Sequence, residues 1–318
     1  MPAARQGAAR LPHYEAESRL RERLIGLGYR EILTIPHVAE DRDALFRPEG
    51  ITPARLANPL SEEAGVLKST GIVTMAAALE WNLNHGQRNA RLFEIGRHYR
   101  LRGSDPVETR VLTIGATGEA GEKLLNAASR EFSFADLKGD IDLIGALAGG
   151  FMWNDGGPEW LHAARRGHVT LGKDAVGEAG QLTRRVAEKL KLRQDVFLAE
   201  LCLDPIYAAM RAAKEARRYE PLPRFPAVER DFSLLLADGT PFSEIANSIR
   251  SLQIKEITSI EAVDLFRGEK VPVGQYSLLV RVKFQNREAT LTDEQINLYA
   301  DKIISVVGHR QDARLRGS

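Results

Sequence analysis

The chain has 318 residues, of which 43% are hydrophobic and 27% are charged, so it is long enough for two domains with separate cores. Its 44 basic and 43 acidic residues give a formal net charge of +1, so overall charge does not indicate a nucleic-acid partner. No apolar run approaches the roughly 20 residues that span a bilayer, and no signal-peptide core is visible. The single cysteine, Cys202, excludes an intrachain disulfide. These features predict a cytoplasmic protein.

Residues 1–11 are rich in alanine, glycine and arginine and are interpreted as a tail or linker remnant. Helical spacing of apolar residues predicts a helix from Tyr14 to Leu27, and a strand from Tyr29 to Ile35 follows and ends at Pro36. A helical stretch over residues 61–85 and strands over residues 90–100 and 111–117 come next.

A capping-box pattern, Ser133 followed by Asp136, predicts the start of another helix. Strand-like runs over residues 168–171 and 197–203 complete a first domain that we place at residues 12–205. Its pattern is α+β, with a largely antiparallel sheet rather than regular βαβ alternation. Residues 206–223 form a basic helix and a proline-rich linker, and the charges of this helix are interpreted as a solvated face.

Residues 224–318 predict a βαββαβ module of the ferredoxin-like (RRM-like) kind. Its strands fall at residues 231–236, 257–266, 274–285 and 313–315, and its helices start after the N-cap patterns at Thr240 and Thr292. In the third strand, Leu278 and its alternate neighbours point to one face, whereas Arg281 and Lys283 point to the other.

The helices of such a module cover one face of the sheet, so Arg281 and Lys283 are expected on an open face that suits RNA. The alternative is a solvated face on which cross-strand ion pairs hold these cations. Because the module carries 13 basic and 13 acidic side chains, RNA binding must depend on where its few cations lie.

The ordered motifs of this module resemble those of the ferredoxin-fold anticodon-binding domain of bacterial phenylalanyl-tRNA synthetase β subunits. They are RFPAVERD at residues 224–231, DLFRGEKVP at 264–272 and TLTDE at 290–294. The first domain resembles the synthetase-like domain of the same family, built on the class II aminoacyl-tRNA synthetase fold. The matching segments are residues 27–36, which resemble class II motif 1, and residues 58–61 and 134–139.

The resemblance implies that cations of the second module contact the anticodon stem-loop of tRNA(Phe), mainly through phosphates. The candidate RNA-binding residues are Arg224, Arg230, Arg267, Lys270, Arg281, Lys283 and Arg287. Phe266 and Tyr276 are candidates for stacking on bases, with a core position as the alternative for Phe266.

The first domain resembles a class II catalytic domain that has lost its activity. Residues 92–102 resemble motif 2, with Arg100 at the place that grips the α-phosphate of ATP, but Arg102 stands where an acid is expected. The segment in the place of motif 3, residues 198–208, contains no glycine and no arginine. Both departures remove charges that the chemistry needs, so Arg100 is predicted to mark a vestigial phosphate site.

The resemblance also implies partners. Motif 1 would pack against the catalytic α subunit of an α2β2 enzyme, with Leu20, Leu24, Tyr29 and Pro36 at the interface. We expect no metal and no cofactor on this chain, since ATP and magnesium would bind the α subunit or domains that are missing here. An editing activity is likewise not expected.

Two other functions remain open. An autonomous ligase is disfavoured by the missing motif 3. A stand-alone paralogue that acts as an RNA-binding or amino-acid-sensing regulator is the second, because ferredoxin-like modules also bind amino acids. The sequence does not decide whether the chain is a fragment or a naturally short relative.

Overall fold

A computed structural model describes residues 11, 13–59, 61, 64–103, 105–121, 128–216, 221–268 and 271–315. The chain divides into two compact units, residues 1–217 and residues 218–318. The helix that the sequence analysis assigns to the linker belongs to the first unit, because Ile206, Tyr207 and Met210 are buried in its core. The exposed side of this helix carries Lys214, which pairs with Glu15 at 2.5 Å.

The described helices of the first unit are α1 (Tyr14–Gly26), α2 (Glu40–Ala44), α3 (Ile72–Asn84), α4 (Phe134–Gly145), α5 (Arg184–Lys189) and α6 (Leu203–Glu215). Its described strands are β1 (Arg30–Glu31), β2 (His37–Val38), β3 (Val66–Leu67), β4 (Ala90–Arg102), β5 (Asp105–Thr117), β6 (Met152–Asn154), β7 (Leu161–Leu171), β8 (Asp174–Leu182) and β9 (Val196–Cys202). Within these residues, a seven-stranded sheet has the order β1-β4-β5-β9-β8-β7-β6. It is antiparallel except where β1 pairs with β4, which confirms the predicted α+β architecture.

Both faces of this sheet are covered, because successive strand residues point in opposite directions. Helices α1, α4 and α6 pack against one face, which includes Phe93 and Ala199. Helix α3 packs against the other face, which includes Leu92 and Leu198. The capping box expected at Ser133 is present at the start of α4.

Several elements differ from the predictions. The strand expected from Tyr29 to Ile35 is limited to β1, and Val66 lies in strand β3 rather than in a helix. Strand β8 was not predicted, because it is rich in alanine and glycine. Its glycines are required by close packing: a Cβ at Gly177 would lie 2.0 Å from the Glu200 carbonyl oxygen.

The second unit contains β10 (Val228–Ala237), α7 (Phe242–Arg250), β11 (Ile257–Phe266), β12 (Gln275–Phe284), α8 (Asp293–Gln311) and β13 (Arg314–Leu315). Its four-stranded antiparallel sheet has the order β11-β12-β10-β13, which confirms the ferredoxin-like βαββαβ topology. Helix α7 begins at Phe242 with Pro241 as its N-cap, so the predicted cap at Thr240 is wrong by one residue. The predicted capping box of Thr292 and Gln295 opens α8.

The alternation predicted for β12 is confirmed. Leu278, Val280, Val282 and Phe284 are buried with the apolar sides of α7 and α8, whereas Arg281 and Lys283 are on the opposite face. In the described parts of the chain, no helix is long and apolar enough to cross a membrane.

Candidate functional site

The open face of the second unit's sheet carries Arg281 and Lys283 on β12. On the adjacent β10, Asp231 is the register partner of Arg281 and Glu229 is the partner of Lys283. Arg281 donates two hydrogen bonds of 2.8 Å to Asp231. Lys283 Nζ lies 3.7 Å from a Glu229 carboxylate oxygen. Glu261 of β11 opposes Arg281 on its other side, so acids flank Arg281 on both sides, whereas the β11 partner of Lys283 is Ser259.

The ion pair between Arg281 and Asp231 shifts the pKa of both side chains but leaves both of them charged. The hydrogen bonds from Arg281 lower the pKa of Asp231, and the same bonds raise the pKa of Arg281. Both side chains are 37% exposed, so water screens their ion pair and it contributes little to stability. A phosphate can therefore compete for Arg281, but it must do so beside carboxylates that repel it.

Two further candidate cations lie near the Lys283 end of the sheet. Gln285, at the end of β12, donates a 2.8 Å hydrogen bond to the Phe225 carbonyl oxygen, which brings Arg224 to that end. Arg224 is exposed, and Arg287 follows β12 in an exposed loop. Four candidates, Arg224, Arg281, Lys283 and Arg287, therefore share one region of the unit.

The remaining candidates lie elsewhere. Arg267 forms an ion pair with Asp238, and its guanidinium carbon lies 5.0 Å from the ring centroid of Tyr276. Tyr276 is five residues from Arg281 along β12, or about 17 Å at strand rise, and it points to the covered face. Arg230 is the register partner of the buried Val282, and its Nη2 lies 3.9 Å from a carboxylate oxygen of Asp293 at the start of α8. Lys270 lies outside the described residues.

The two aromatic candidates differ in accessibility. Tyr276 is 4% exposed and packs in the core, so its ring is not available for stacking on a base. Phe266 is 43% exposed and is the register partner of Ser277, which places it on the open face together with Arg281. Phe266 is therefore the aromatic side chain that fits the predicted stacking role.

A polar cluster in the first unit surrounds Arg100 on β4. Its Nε donates a 3.2 Å hydrogen bond to the Ser69 carbonyl oxygen. Nearby, Glu200 of β9 lies 3.0 Å from His98 Nδ1 and also accepts a short hydrogen bond from the Gly71 backbone nitrogen. Gly71 permits this approach, because a Cβ there would lie 2.1 Å from the Thr113 hydroxyl oxygen.

Glu178 of β8 is the cross-strand neighbour of Glu200 on the same face. Its burial and the adjacent Glu200 raise the pKa of Glu178 to about 7, while Arg100 opposes the rise. Glu178 thus interacts electrostatically with Arg100, and the acid Glu200 lies beside Glu178 on the same face. An ATP site would need cations that acids do not oppose. In residues 198–208, the place of motif 3, the charged side chains are Glu200 and Asp204. The arrangement does not fit an ATP α-phosphate.

Glu178 and Glu200 are not among the site residues predicted from the sequence. A signal for Glu200 was present, because it is a charged residue in an otherwise apolar strand, residues 196–203. Glu178 gave no comparable signal, since its strand was not recognised. Among the described residues, no group of three or more His, Cys, Asp or Glu side chains is arranged to hold a metal ion.

Three of the four predicted interface residues point into the chain's own core. Leu20 and Leu24 are fully buried, and Tyr29 is 2% exposed and donates a 2.7 Å hydrogen bond to Asp140. Pro36 is partly buried, and its carbonyl oxygen accepts a hydrogen bond from the Lys68 backbone. A partner would therefore meet other residues of the motif 1 segment.

Exposed apolar side chains of the same region were not recognised as a surface. Leu33 is 92% exposed, Ile35 is 74% exposed and Trp81 of α3 is 60% exposed. All three line one open cavity of about 930 Å³. We call Leu33, Ile35 and Trp81 the apolar patch. Exposed side chains of this size are typical of binding surfaces when they occur together.

Comparison with known proteins gives two family matches in the same order as the two units. Residues 1–203 match the family model described as the phenylalanyl tRNA synthetase beta chain CLM domain. Residues 223–316 match the ferredoxin-fold anticodon binding domain. The second match covers the unit that carries Arg281 and the open face.

Curated relatives match over nearly the whole chain. The phenylalanine--tRNA ligase beta subunit of Geobacter sulfurreducens is 31% identical, over 99% of this chain and 40% of that protein. The one of Geobacillus kaustophilus is 29% identical, over 100% of this chain and 40% of that protein. The chain thus spans about 40% of the length of these relatives.

A solved structure of pyrrolysyl-tRNA synthetase from Desulfitobacterium hafniense aligns with a TM-score of 0.49 and 15% identity, over 68% of this chain and 76% of that one. The family model that matches residues 1–203, more than half of the chain, is the decisive match. The chain belongs to the phenylalanyl-tRNA synthetase β-chain family.

Proposed function

We propose that this chain is a non-catalytic β-subunit portion of phenylalanine--tRNA ligase. It binds the anticodon stem-loop of tRNA(Phe) with its second unit and assembles with the catalytic α subunit in an α2β2 enzyme. The observation that carries the proposal is the order of the two family matches, a β-chain core domain followed by an anticodon-binding domain in one chain.

The RNA contact is proposed for the open face and the adjoining end of the sheet. Arg281 and Lys283 lie on this face, Phe266 supplies an exposed ring, and Arg224 and Arg287 lie close to its end. Cations that position the phosphate backbone and an aromatic ring that stacks on a base are the usual means of binding single-stranded loops.

Catalysis is assigned to the α subunit, which would bind ATP and magnesium. The support from this chain is chemical: Glu178 interacts with Arg100 and lies beside the acid Glu200, and a transferring phosphate needs cations that acids do not oppose. Assembly with the α subunit is proposed to bury the apolar patch. Its three side chains are exposed, and Leu33 and Ile35 belong to the segment that resembles motif 1.

Co-expression with an affinity-tagged phenylalanyl-tRNA synthetase α subunit tests assembly. We expect the untagged chain to co-purify with the α subunit in equal amounts and to bind tRNA(Phe) transcript in a salt-sensitive manner. Aminoacylation by the purified complex would place the chain in the ligase. Aminoacylation is not required for this test, because the chain spans only part of its relatives' length.

The competing functions predict other results. ATP–pyrophosphate exchange by the isolated chain in the presence of an amino acid would support an autonomous ligase and would contradict the proposal. A regulator that senses amino acids would melt at a higher temperature with phenylalanine, would not co-purify with the α subunit and would not bind tRNA(Phe).

A further inference from the structure

A second cavity in the first unit lies beside helix α5 and has a volume of about 730 Å³. Three cationic side chains line it: Arg47, which follows α2, and Arg185 and Lys189 of α5. Its apolar wall includes Phe46 and Trp160, whose rings meet edge to face at 5.4 Å. A volume of this size accommodates a small molecule or one segment of a polymer.

Arg47 is held in place by contacts behind the cavity. Its Nε donates a 2.7 Å hydrogen bond to the fully buried Asp43. Asp43 in turn accepts 2.8 Å hydrogen bonds from the backbone nitrogen and the hydroxyl of Ser69. Arg47 Nη2 is buried, has no hydrogen-bond partner among the described residues and lies 3.9 Å from the Glu40 carboxylate. The guanidinium is thus oriented, with hydrogen-bonding capacity left over.

Arg185 and Lys189 are one turn apart on the same side of α5, and both are exposed. Like charges at this spacing repel and destabilise a helix. Their neighbour Arg184 pairs with Glu188 at 2.9 Å, whereas no ion pair is found for Arg185 or Lys189 in the described residues. An anion between the two side chains would relieve their repulsion.

Acidic residues also line this cavity, and their charge affects which ligands it can bind. Glu49 and Glu159 are exposed at its edge, and Glu178 forms part of its wall. Burial raises the pKa of Glu178 to about 7, so near neutral pH a large share of it is protonated and can donate a hydrogen bond. Glu178 therefore opposes an anion less than an ordinary carboxylate would.

We propose that Arg47, Arg185 and Lys189 form a binding site for a phosphate group. Arginine binds phosphate oxygens through its planar fork of donors, and lysine adds a point charge. The phosphate is that of an RNA backbone or of a free phosphate compound. The proposal is independent of tRNA binding by the second unit, because its residues all lie in the first unit.

The test uses the full chain and inorganic pyrophosphate as the probe, with binding followed by calorimetry at low ionic strength. We expect saturable binding that weakens at least tenfold in the double variant Arg185→Gln/Lys189→Gln, because two of the three cations are lost. The matched control is Lys173→Gln/Lys302→Gln, which removes the same charge at two exposed lysines outside the cavity. It should change affinity less than twofold.

A second variant, Arg47→Lys, keeps the charge and removes the fork, and we expect it to weaken binding as well. If Arg47→Lys lowers the melting temperature strongly, the proposal is judged only by the result of the α5 variant Arg185→Gln/Lys189→Gln. Absence of pyrophosphate binding by the unmodified chain, or equal losses in the α5 variant and the lysine control, would overturn the proposal.

Competition with a short uridine oligonucleotide then distinguishes the phosphate of an RNA backbone from that of a free compound. The competition uses a chain that also carries Arg281→Gln and Lys283→Gln. Displacement of pyrophosphate by this RNA assigns the site to an RNA backbone. Retention of pyrophosphate assigns it to a free phosphate compound.

Discussion

The guanidinium of Arg281 donates two parallel hydrogen bonds of 2.8 Å to the carboxylate of Asp231 across neighbouring strands. The strongest RNA-binding candidate of the sequence is therefore part of a cross-strand ion pair. Both interpretations of the open face apply at once: Arg281 is on the exposed surface, and an acid holds it. RNA binding by this face becomes a competition between carboxylate and phosphate for the same donors.

Replacing Asp231 by Asn is expected to strengthen RNA binding, about threefold to tenfold at moderate salt, because one repulsive charge is lost and Arg281 is released. The cost in stability should be small, since the pair is exposed and screened by water. Filter binding with tRNA(Phe) transcript measures the affinity. An unchanged affinity would show that RNA does not approach this face.

Neutralising both cations with Arg281→Gln and Lys283→Gln should weaken RNA binding. It should also make the fall of log affinity with log salt less steep, by about two in the slope. Glutamine is preferable to glutamate here, because glutamates at these positions would face Asp231 and Glu229 and repel them. The control Lys255→Gln/Lys302→Gln removes two exposed lysines of the same unit. Equal salt slopes for the two variants would rule out the open face.

The periodic elements of the fold could be predicted, because alternation along β12 identifies its buried face and capping patterns identify the starts of α4 and α8. Strand β8 could not, because its glycines are selected by close contact with the neighbouring strands, Gly177 with β9 and Gly180 with β7, rather than by strand propensity. Helix α5 is six residues long, which is too short to show a helical period.

The candidate site was also predicted only in part, because the periodicity of a sequence shows the face of an element but not its tertiary contacts. Sequence alternation shows that Arg281 is on the open face, but the strand register decides that Asp231, fifty residues away, is its partner. In the same way, apolar spacing selects Leu20 and Leu24 as helix residues without showing that they are buried in the chain's own core. Such pairings depend on tertiary contacts that a single sequence does not reveal.

Assembly with the α subunit should depend on the apolar patch. Leu33→Glu with Ile35→Glu is expected to prevent co-purification, because two charges would have to be buried in the interface. Both side chains are exposed, so the chain should fold as before. Leu143→Glu, at an exposed leucine of α4, is the matched control. Co-purification of the double variant in full yield would place the interface elsewhere.

Glu200→Ala is expected to lower the free energy of unfolding by about 2–5 kcal/mol. The substitution leaves the buried Gly71 backbone nitrogen and His98 without their partner. Urea denaturation measures the change, and Glu49→Ala, at an exposed acid, should cost less than about 0.5 kcal/mol. A loss as small as that of the control would mean that the cluster around Arg100 contributes little to the fold.

Glu178 should make stability depend on pH in a direction opposite to that of an ordinary ion-paired carboxylate. Burial raises its pKa from 4.5 to about 7 in the folded chain. Between these values the folded state holds the proton more tightly than the unfolded state, so this contribution to stability decreases as pH rises through the window. Above pH 7 the buried charge has its full cost.

The variant Glu178→Gln removes that charge and is expected to stabilise the chain at pH 8 by an amount on the order of 2 kcal/mol. The gain should shrink towards zero as pH falls below 4.5, where the glutamate becomes protonated in both states. Thermal unfolding of the two proteins across this range measures the difference, in which other titrating groups cancel. A gain that does not vary with pH would show that Glu178 titrates normally, and Arg100 would then lie beside a fully charged carboxylate at neutral pH.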